Sequence, residues 1–297
     1  MTDREDVILF VLMSTFWASN YPVSSIGLKY GNNFDLLFFR VFFAMIGILV
    51  IFNRRLSLPK SLSSFGRMAI LSIFNVLIFM NLWFYSELFI SSSLSVIVIY
   101  SYPISATLLS IVFLKEKFNG GTIAGIAMGF AGMIIIFYSS ITEASLYGVA
   151  LSFLSSLSWA TGTVYFKKYM TREDSVSANF YQFLVAVPPM LLISFFFGVP
   201  SQIYNPGTML LIAGFLTGIP GTAIAYYAYL ILFRKHEIGK VSSLLFVVPA
   251  ISVILSYFIL GTTLTLIQAG GMALIFLGIL FSIGRKLPTW QSVKQAQ

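Results

Sequence analysis

The chain has 297 residues, of which 58% are hydrophobic and only 9% charged, with a net charge of +8 and a mean hydropathy of +0.91. A soluble domain carries about 25% charged residues, so this chain lacks the polar surface to sit in water and reads as an integral membrane protein. Cysteine is absent, which excludes disulfides and thiol chemistry.

Spanning about 30 Å of hydrocarbon takes roughly 20 helical residues. In chain order, apolar stretches of that length fall near 7–27, 34–52, 67–86, 93–114, 121–139, 146–166, 176–198, 208–232, 239–260 and 265–284. The first follows Asp3-Arg4-Glu5-Asp6, shows no cleavage site and reads as a retained helix rather than a signal peptide. Charged breaks such as Asn53-Arg54-Arg55, Lys115-Glu116-Lys117, Lys167-Lys168 and Arg234-Lys235-His236-Glu237 separate the later ones. The expected fold is therefore all-α, with ten transmembrane helices. With the N-terminus inside the cell, 16 of the 18 Lys and Arg residues fall on the inner side, Arg285, Lys286 and Lys294 among them; only Lys29 and Arg40 fall outward. The positive-inside rule then predicts a multi-pass plasma-membrane protein with both termini in the cytoplasm. Because these cations lie in short loops and form no basic face, nucleic acid is not an expected partner.

The second half repeats the first. Leu109-Ser110, Leu114, Gly125 and Gly132 follow Pro103; Leu255-Ser256, Leu260, Gly271 and Gly278 follow Pro249, all at an offset of 146. Nearer the front of each half the offset is 142, pairing Trp17-Ala18 with Trp159-Ala160 and Arg40 with Gln182. Copies of an odd number of spans insert in opposite orientations, and an inverted repeat of this kind marks secondary transporters. The expected organisation is residues 1–140 as a first five-helix repeat, 141–290 as a second, around a central cavity, and 291–297 as a cytoplasmic tail.

Trp17-Ala18-Ser19-Asn20-Tyr21-Pro22 and the nearby Arg40 resemble the opening of the drug/metabolite transporter superfamily, EamA-like branch. The run from Tyr102-Pro103 through Leu114-Lys115-Glu116 to Gly125 and Gly132 is similar to that family's "P…L-x-E…G…G" module, and Pro249 to Gly278 forms its second copy. Two departures stand out: Ala18 replaces the usual glycine, and Thr262 stands where the second copy usually carries glutamate. The resemblance covers nearly the whole chain. It implies a basket of helices around a cavity, alternating access between the halves, the fifth and tenth helices at the periphery, and efflux of small metabolites, frequently amino acids.

Residues that are costly in lipid supply the candidate site. Arg40 is the one clear cation inside an apolar run. It is a candidate carboxylate clamp, against the alternatives of snorkelling or pairing with Asp35 or Glu87. The amides Asn20, Asn75, Asn81 and Gln182 should face the bundle interior, and the aromatics Trp17, Tyr85, Tyr100, Trp159, Tyr165 and Tyr226 complete the expected solute-binding set. Pro22, Pro103 and Pro249 interrupt spans and are candidate hinges, with a simple kink as the alternative. Every carboxylate falls in a tail, a loop or a helix end, which favours facilitated diffusion, exchange or peripheral coupling over a buried relay; Glu87 and Asp35 are the reserve proton-coupling groups.

The expected function is secondary transport of amino-acid-like, zwitterionic or neutral and aromatic solutes, as an exporter. A channel or a non-transporting scaffold is the alternative. An intramembrane enzyme ranks lower, because no metal-ligand cluster or paired carboxylates appear. No phosphate-binding G-x-x-x-x-G-K-[ST] loop is present, so ATP is not expected to drive the chain. No cofactor or metal is expected; lipid and a small-molecule solute are, and monomer and homodimer both fit.

Overall fold

The structure is a computed structural model that describes residues 3–138 and 145–283. Arg285, Lys286, Lys294, Glu143 and the expected tail lie outside the described residues. Among the described residues ten helices are long and apolar enough to cross a membrane: α1 Arg4–Gly27, α2 Asn33–Arg55, α3 Leu62–Ser86, α4 Ser92–Leu114, α5 Gly120–Phe137, α6 Leu146–Tyr169, α7 Ser175–Phe197, α8 Thr208–Lys235, α9 Ile238–Leu260 and α10 Leu266–Ile283. Short polar residues fix where several begin. Asp3, Asn32, Ser61, Ser91, Asn119 and Asp174 each cap a helix by accepting from a backbone N–H of its first turn, as orphan N-terminal donors require.

Four helices are irregular, and the irregularities come in equivalent pairs. α4 breaks after Ile99 and resumes at Tyr102, with Pro103 in the new first turn; α9 breaks after Leu244 and resumes at Val247, with Pro249 in the matching place. Proline lacks the N–H that a continuous helix would use, but is tolerated in a first turn. α4 and α9 also end alike, in left-handed residues 146 positions apart: Lys115 at φ 57° and Gly261 at φ 67°. α3 and α8 each contain a π-helical turn, Ile73–Ile78 and Ile219–Ile224, again offset by 146. By contrast α1 runs unbroken through Pro22, and α7 through Pro188 and Pro189.

Helix packing repeats the same exchange. α1 packs on α8 as α6 packs on α3; α1 packs on α9 as α6 packs on α4; and α2 packs on α8 as α7 packs on α3. α2 with α7, and α5 with α10, form the two contacts that map onto themselves. In the second, Gly125 lies against the carbonyl of Gly278 and Gly132 against that of Gly271, with no room for a side chain. This pair stands to one side of the bundle, and α10 has the smallest buried share of any span, 28%.

The two ends of the bundle differ in chemistry. Four ion pairs and a histidine–carboxylate hydrogen bond occur among the described residues, all at one end, and each joins a residue before position 139 to one after 144: Arg67–Glu173 at 2.5 Å, Lys167–Glu116 at 2.8 Å, Lys235–Asp6 at 3.0 Å and Lys235–Glu5 at 3.6 Å, with His236 Nε2 2.7 Å from Asp6. Backbone groups join in, with the Ile238 N–H donating to Glu116 and Arg234 donating to the Glu173 carbonyl. The opposite end uses neutral donors. Asp35 is fully buried there and accepts from Ser194 Oγ at 2.5 Å and from the Val199 N–H at 2.8 Å.

Candidate functional site

A cavity lies at the middle of the bundle where α1, α2, α3, α4, α6 and α8 meet. Trp17, Asn20, Tyr21, Arg40, Phe79, Trp83, Ile99, Tyr100, Trp159 and Tyr226 line it. Both halves contribute, and the break in α4 delivers Ile99 and Tyr100 to its wall. Its volume is about 40 Å³, which holds a few waters but no organic solute.

Toward the charged end, the floor is a stack of rings. Trp159 lies on Tyr102 at 3.8 Å and on Phe79 at 4.9 Å between centroids, nearly parallel to both. Trp17 meets Trp159 and Tyr226 edge-on at 5.5 and 5.7 Å. The Thr163 hydroxyl ties the Tyr102 and Tyr229 phenols together beneath. Rings so interlocked exclude water and close the cavity on this side. On the other side Tyr21 and Trp83 are only partly buried.

Arg40 is the cation of this cavity. It sits seven residues into α2, about 10 Å along the axis at 1.5 Å per residue, and is 4% exposed. Its Nε donates to Thr222 Oγ1 at 2.8 Å, and its guanidinium carbon lies 6.0 Å from the Trp83 ring. Thr222 belongs to the π-helical turn of α8, whose irregular ladder frees it to reach across. Among the described residues Arg40 forms no ion pair. Neither expected partner is used: Asp35 is committed to Ser194 and Val199, and Glu87 accepts from Trp83 Nε1 at 2.9 Å. Glu87 lies one residue past the end of α3, half-buried behind the cavity wall. Burial pushes its carboxyl up to about 7, against the opposing hydrogen bonds of Trp83 and Ser92.

The neutral polar groups are arranged as a crossed pair. Asn20 of α1 donates from Nδ2 to the Gly221 carbonyl of α8 at 2.9 Å, and its Oδ1 presses on the Gly221 Cα. Gly162 of α6, 142 positions after Asn20, lies in the same way against Asn75 of α3, which is 146 positions before Gly221. The asparagine and glycine have changed places between the halves.

A profile of the EamA-like transporter family matches residues 6–138 and again residues 146–284. The chain belongs to the EamA-like transporter family. An uncharacterized transporter from Acidianus ambivalens is 30% identical over 83% of this chain and 93% of its own length. Proteins named probable amino-acid metabolite efflux pumps in Salmonella typhimurium and Escherichia coli are 24% and 23% identical, each over 94% of this chain and 95% of its own length. A solved crystal structure superposes with a TM-score of 0.81 at 17% identity, over 95% of this chain and 99% of that one, which establishes the shared fold. The protein is thus a membrane transporter by family and not an enzyme.

Six of the sequence-selected residues in this EamA-like chain meet at the cavity: Trp17, Asn20, Arg40, Tyr100, Trp159 and Tyr226. Five do not. Gln182 is fully buried and donates to Asn179 Oδ1, and Asn75 is fully buried with both side-chain amide atoms unpartnered. Asn81 donates to the Leu77 carbonyl within its own helix, and with Tyr85 lines a separate recess beside Phe34 and Phe197. Tyr165 lines an outer groove with Phe113 and Lys168. Pro103 and Pro249 sit at helix breaks, whereas Pro22 does not interrupt α1. Phe79, Trp83, Tyr21 and Thr222 lie outside the expected solute-binding set. The one available signal was spacing: Phe79 and Trp83 are four apart, on one face of α3.

Proposed function

We propose that the protein is a secondary transporter that exports small, carboxylate-bearing organic metabolites, amino acids or their derivatives, across the plasma membrane by alternating access. Its two halves would be inverted five-helix repeats, with both termini in the cytoplasm. The observation that carries this reading is Arg40, an unpaired guanidinium bordering a closed cavity that both halves line. A buried charge without a partner is costly, and a solute carboxylate supplies the missing one. The naming of two relatives as amino-acid metabolite efflux pumps supports the solute class. The exchange of helix contacts between the halves supports the inverted repeat.

The present conformation is closed toward the charged end, where ring stack and ion pairs lie in series. That end carries Arg67, Lys167, Arg234 and Lys235, which the positive-inside rule assigns to the cytoplasm. The test is counter-flow in proteoliposomes holding the purified chain. Saturable exchange of labelled solute against unlabelled solute on the far side is expected; non-saturating conductance would mean a channel, and no flux of any metabolite a scaffold.

A further inference from the structure

Resting on the transport reading, the balance of charge around Arg40 narrows the solute class. We infer that the cavity selects organic monocarboxylates, anions of net charge −1 with an aromatic or branched apolar body, over the corresponding zwitterionic amino acids.

The cavity wall holds one guanidinium, one amide and otherwise tyrosine, tryptophan, phenylalanine and isoleucine. Among the described residues no carboxylate lines it. Of the guanidinium, only Nε is bonded, to Thr222, and the two Nη groups form no hydrogen bond among the described residues. Planar donors of this kind match the two oxygens of a carboxylate. Once the cavity has widened from its present volume of about 40 Å³ to admit a solute, a monocarboxylate brings it to zero net charge. A zwitterion brings its own cation along, so the site keeps a net charge of +1 in a medium of low dielectric. Its ammonium would also need hydrogen-bond acceptors. The wall offers few neutral acceptors and no anionic one: Asn20 Oδ1, without a hydrogen-bond partner, is pressed against Gly221, and the tyrosine hydroxyls are what remains. The ring faces suit an apolar body by burial and stacking.

The Glu87 carboxylate stands behind Trp83 and accepts its indole N–H. Were Glu87 to swing into the cavity it could meet an ammonium, so the experiment must separate this route. Phosphates are excluded by the same count, because one cation cannot balance two negative charges.

The test uses three probes of one shape and three charges: 3-phenylpropionate (−1), phenylalanine (zwitterion) and phenethylamine (+1). Binding to the full chain in lipid nanodiscs is read by titration calorimetry at neutral pH. 3-Phenylpropionate is expected to bind about tenfold or more tightly than phenylalanine, which is about 1.4 kcal/mol, and phenethylamine not to bind. Arg40→Gln should abolish 3-phenylpropionate binding while melting no lower than the wild type, since it removes an unpaired buried charge; a lower melting temperature with binding retained would make Arg40 structural. Equal or tighter binding of phenylalanine would overturn the inference. So would a phenylalanine affinity that vanishes in Glu87→Gln, or failure of all three probes at millimolar concentration. Because binding is measured without flux, tight 3-phenylpropionate binding with no counter-flow would sink the transport reading and leave the site. Counter-flow of phenylalanine alone would do the reverse.

Discussion

The crossed asparagine–glycine contact gives the sharpest mutational test of the packing. In Gly221→Ala the new Cβ would stand 1.8 Å from Asn20 Oδ1 and 2.7 Å from its Cγ, distances that no real contact adopts. Asn20 is 6% exposed, so the amide must turn away and surrender its bond to the Gly221 carbonyl. Overpacking of a tight core costs about 1–3 kcal/mol. A buried amide left unpaired costs about 1–3 kcal/mol more. The expected loss is about 2–6 kcal/mol, which for a chain of this size lowers the melting temperature by roughly 3–10 °C. Thermal unfolding of the purified protein in detergent, followed by tryptophan fluorescence, reads it. The informative variant is the exchange Asn20→Gly with Gly221→Asn, which rebuilds the arrangement that Gly162 and Asn75 already have in the other half. It should recover the overpacking share of the loss but not the amide's hydrogen bond, since Asn75 has no partner opposite Gly162. An unchanged melting temperature in Gly221→Ala, or a double variant worse than both single ones, would refute the reasoning.

Other outcomes follow from the charged groups. Ser242, fully buried in the first turns of α9 near Tyr102, is a natural reporter in a chain without cysteine. A Ser242→Cys variant should be protected from maleimide, and adding Glu173→Gln with Glu116→Gln should raise its labelling severalfold at little cost in stability, because partly exposed ion pairs contribute about 0–1 kcal/mol each; unchanged labelling would remove the ion pairs from the gate. The Arg67 hydrogen bond holds the Glu173 carboxyl below its ordinary 4.5. Its stabilising contribution is therefore complete above about pH 4.5 and lost as pH falls through the lower folded value, so Glu173→Gln should flatten the acid limb of the melting-temperature profile. Glu87 has the opposite sign. Between 4.5 and about 7 it is protonated when folded and ionised when unfolded, so stability should fall as pH rises through that window. If Glu87 couples a proton to transport, exchange rates change with a midpoint near pH 7 and Glu87→Gln abolishes the change; flat rates in the wild type would mark uniport or exchange.

Much of this architecture was legible in the residues. Ten apolar stretches give the ten spans, and the paired prolines Pro103 and Pro249 mark both helix breaks. The π-helical turns were not legible: α8 has Pro220 in its turn, but α3 reaches the same geometry through Ile73–Ile78 with no proline at all. Helix rotation was the harder limit. In a span that is apolar all round, the 3.6-residue period does not say which face meets lipid and which meets the cavity. Trp159 and Tyr165 both belong to α6, yet six residues turn the helix by about 240° from one to the other. Trp159 therefore enters the cavity wall, and Tyr165 an outer groove with Lys168. Gln182 matches Arg40 in the repeat but bonds Asn179, and in this conformation the cavity draws its cation from α2 and nothing from α7.

The repeat also breaks its own symmetry at one place, and that place bears on mechanism. Asn20 bonds the Gly221 carbonyl, whereas its counterpart Asn75 faces Gly162 with neither amide atom partnered, at zero exposure. An orphan buried amide costs about 1–3 kcal/mol, and a chain that needed only this conformation would gain by an apolar residue there. On the alternating-access reading proposed above, opening at the charged end would hand the bonded role to Asn75 toward Gly162 and leave Asn20 the orphan. Asn75→Leu, of nearly the same shape, should then raise the melting temperature of the present state by a few degrees while slowing counter-flow, because it deprives the opposite state of its bond. A variant that transports at the wild-type rate and melts higher would show that Asn75 has no part in the exchange. One that melts lower would show that the amide is satisfied where it stands.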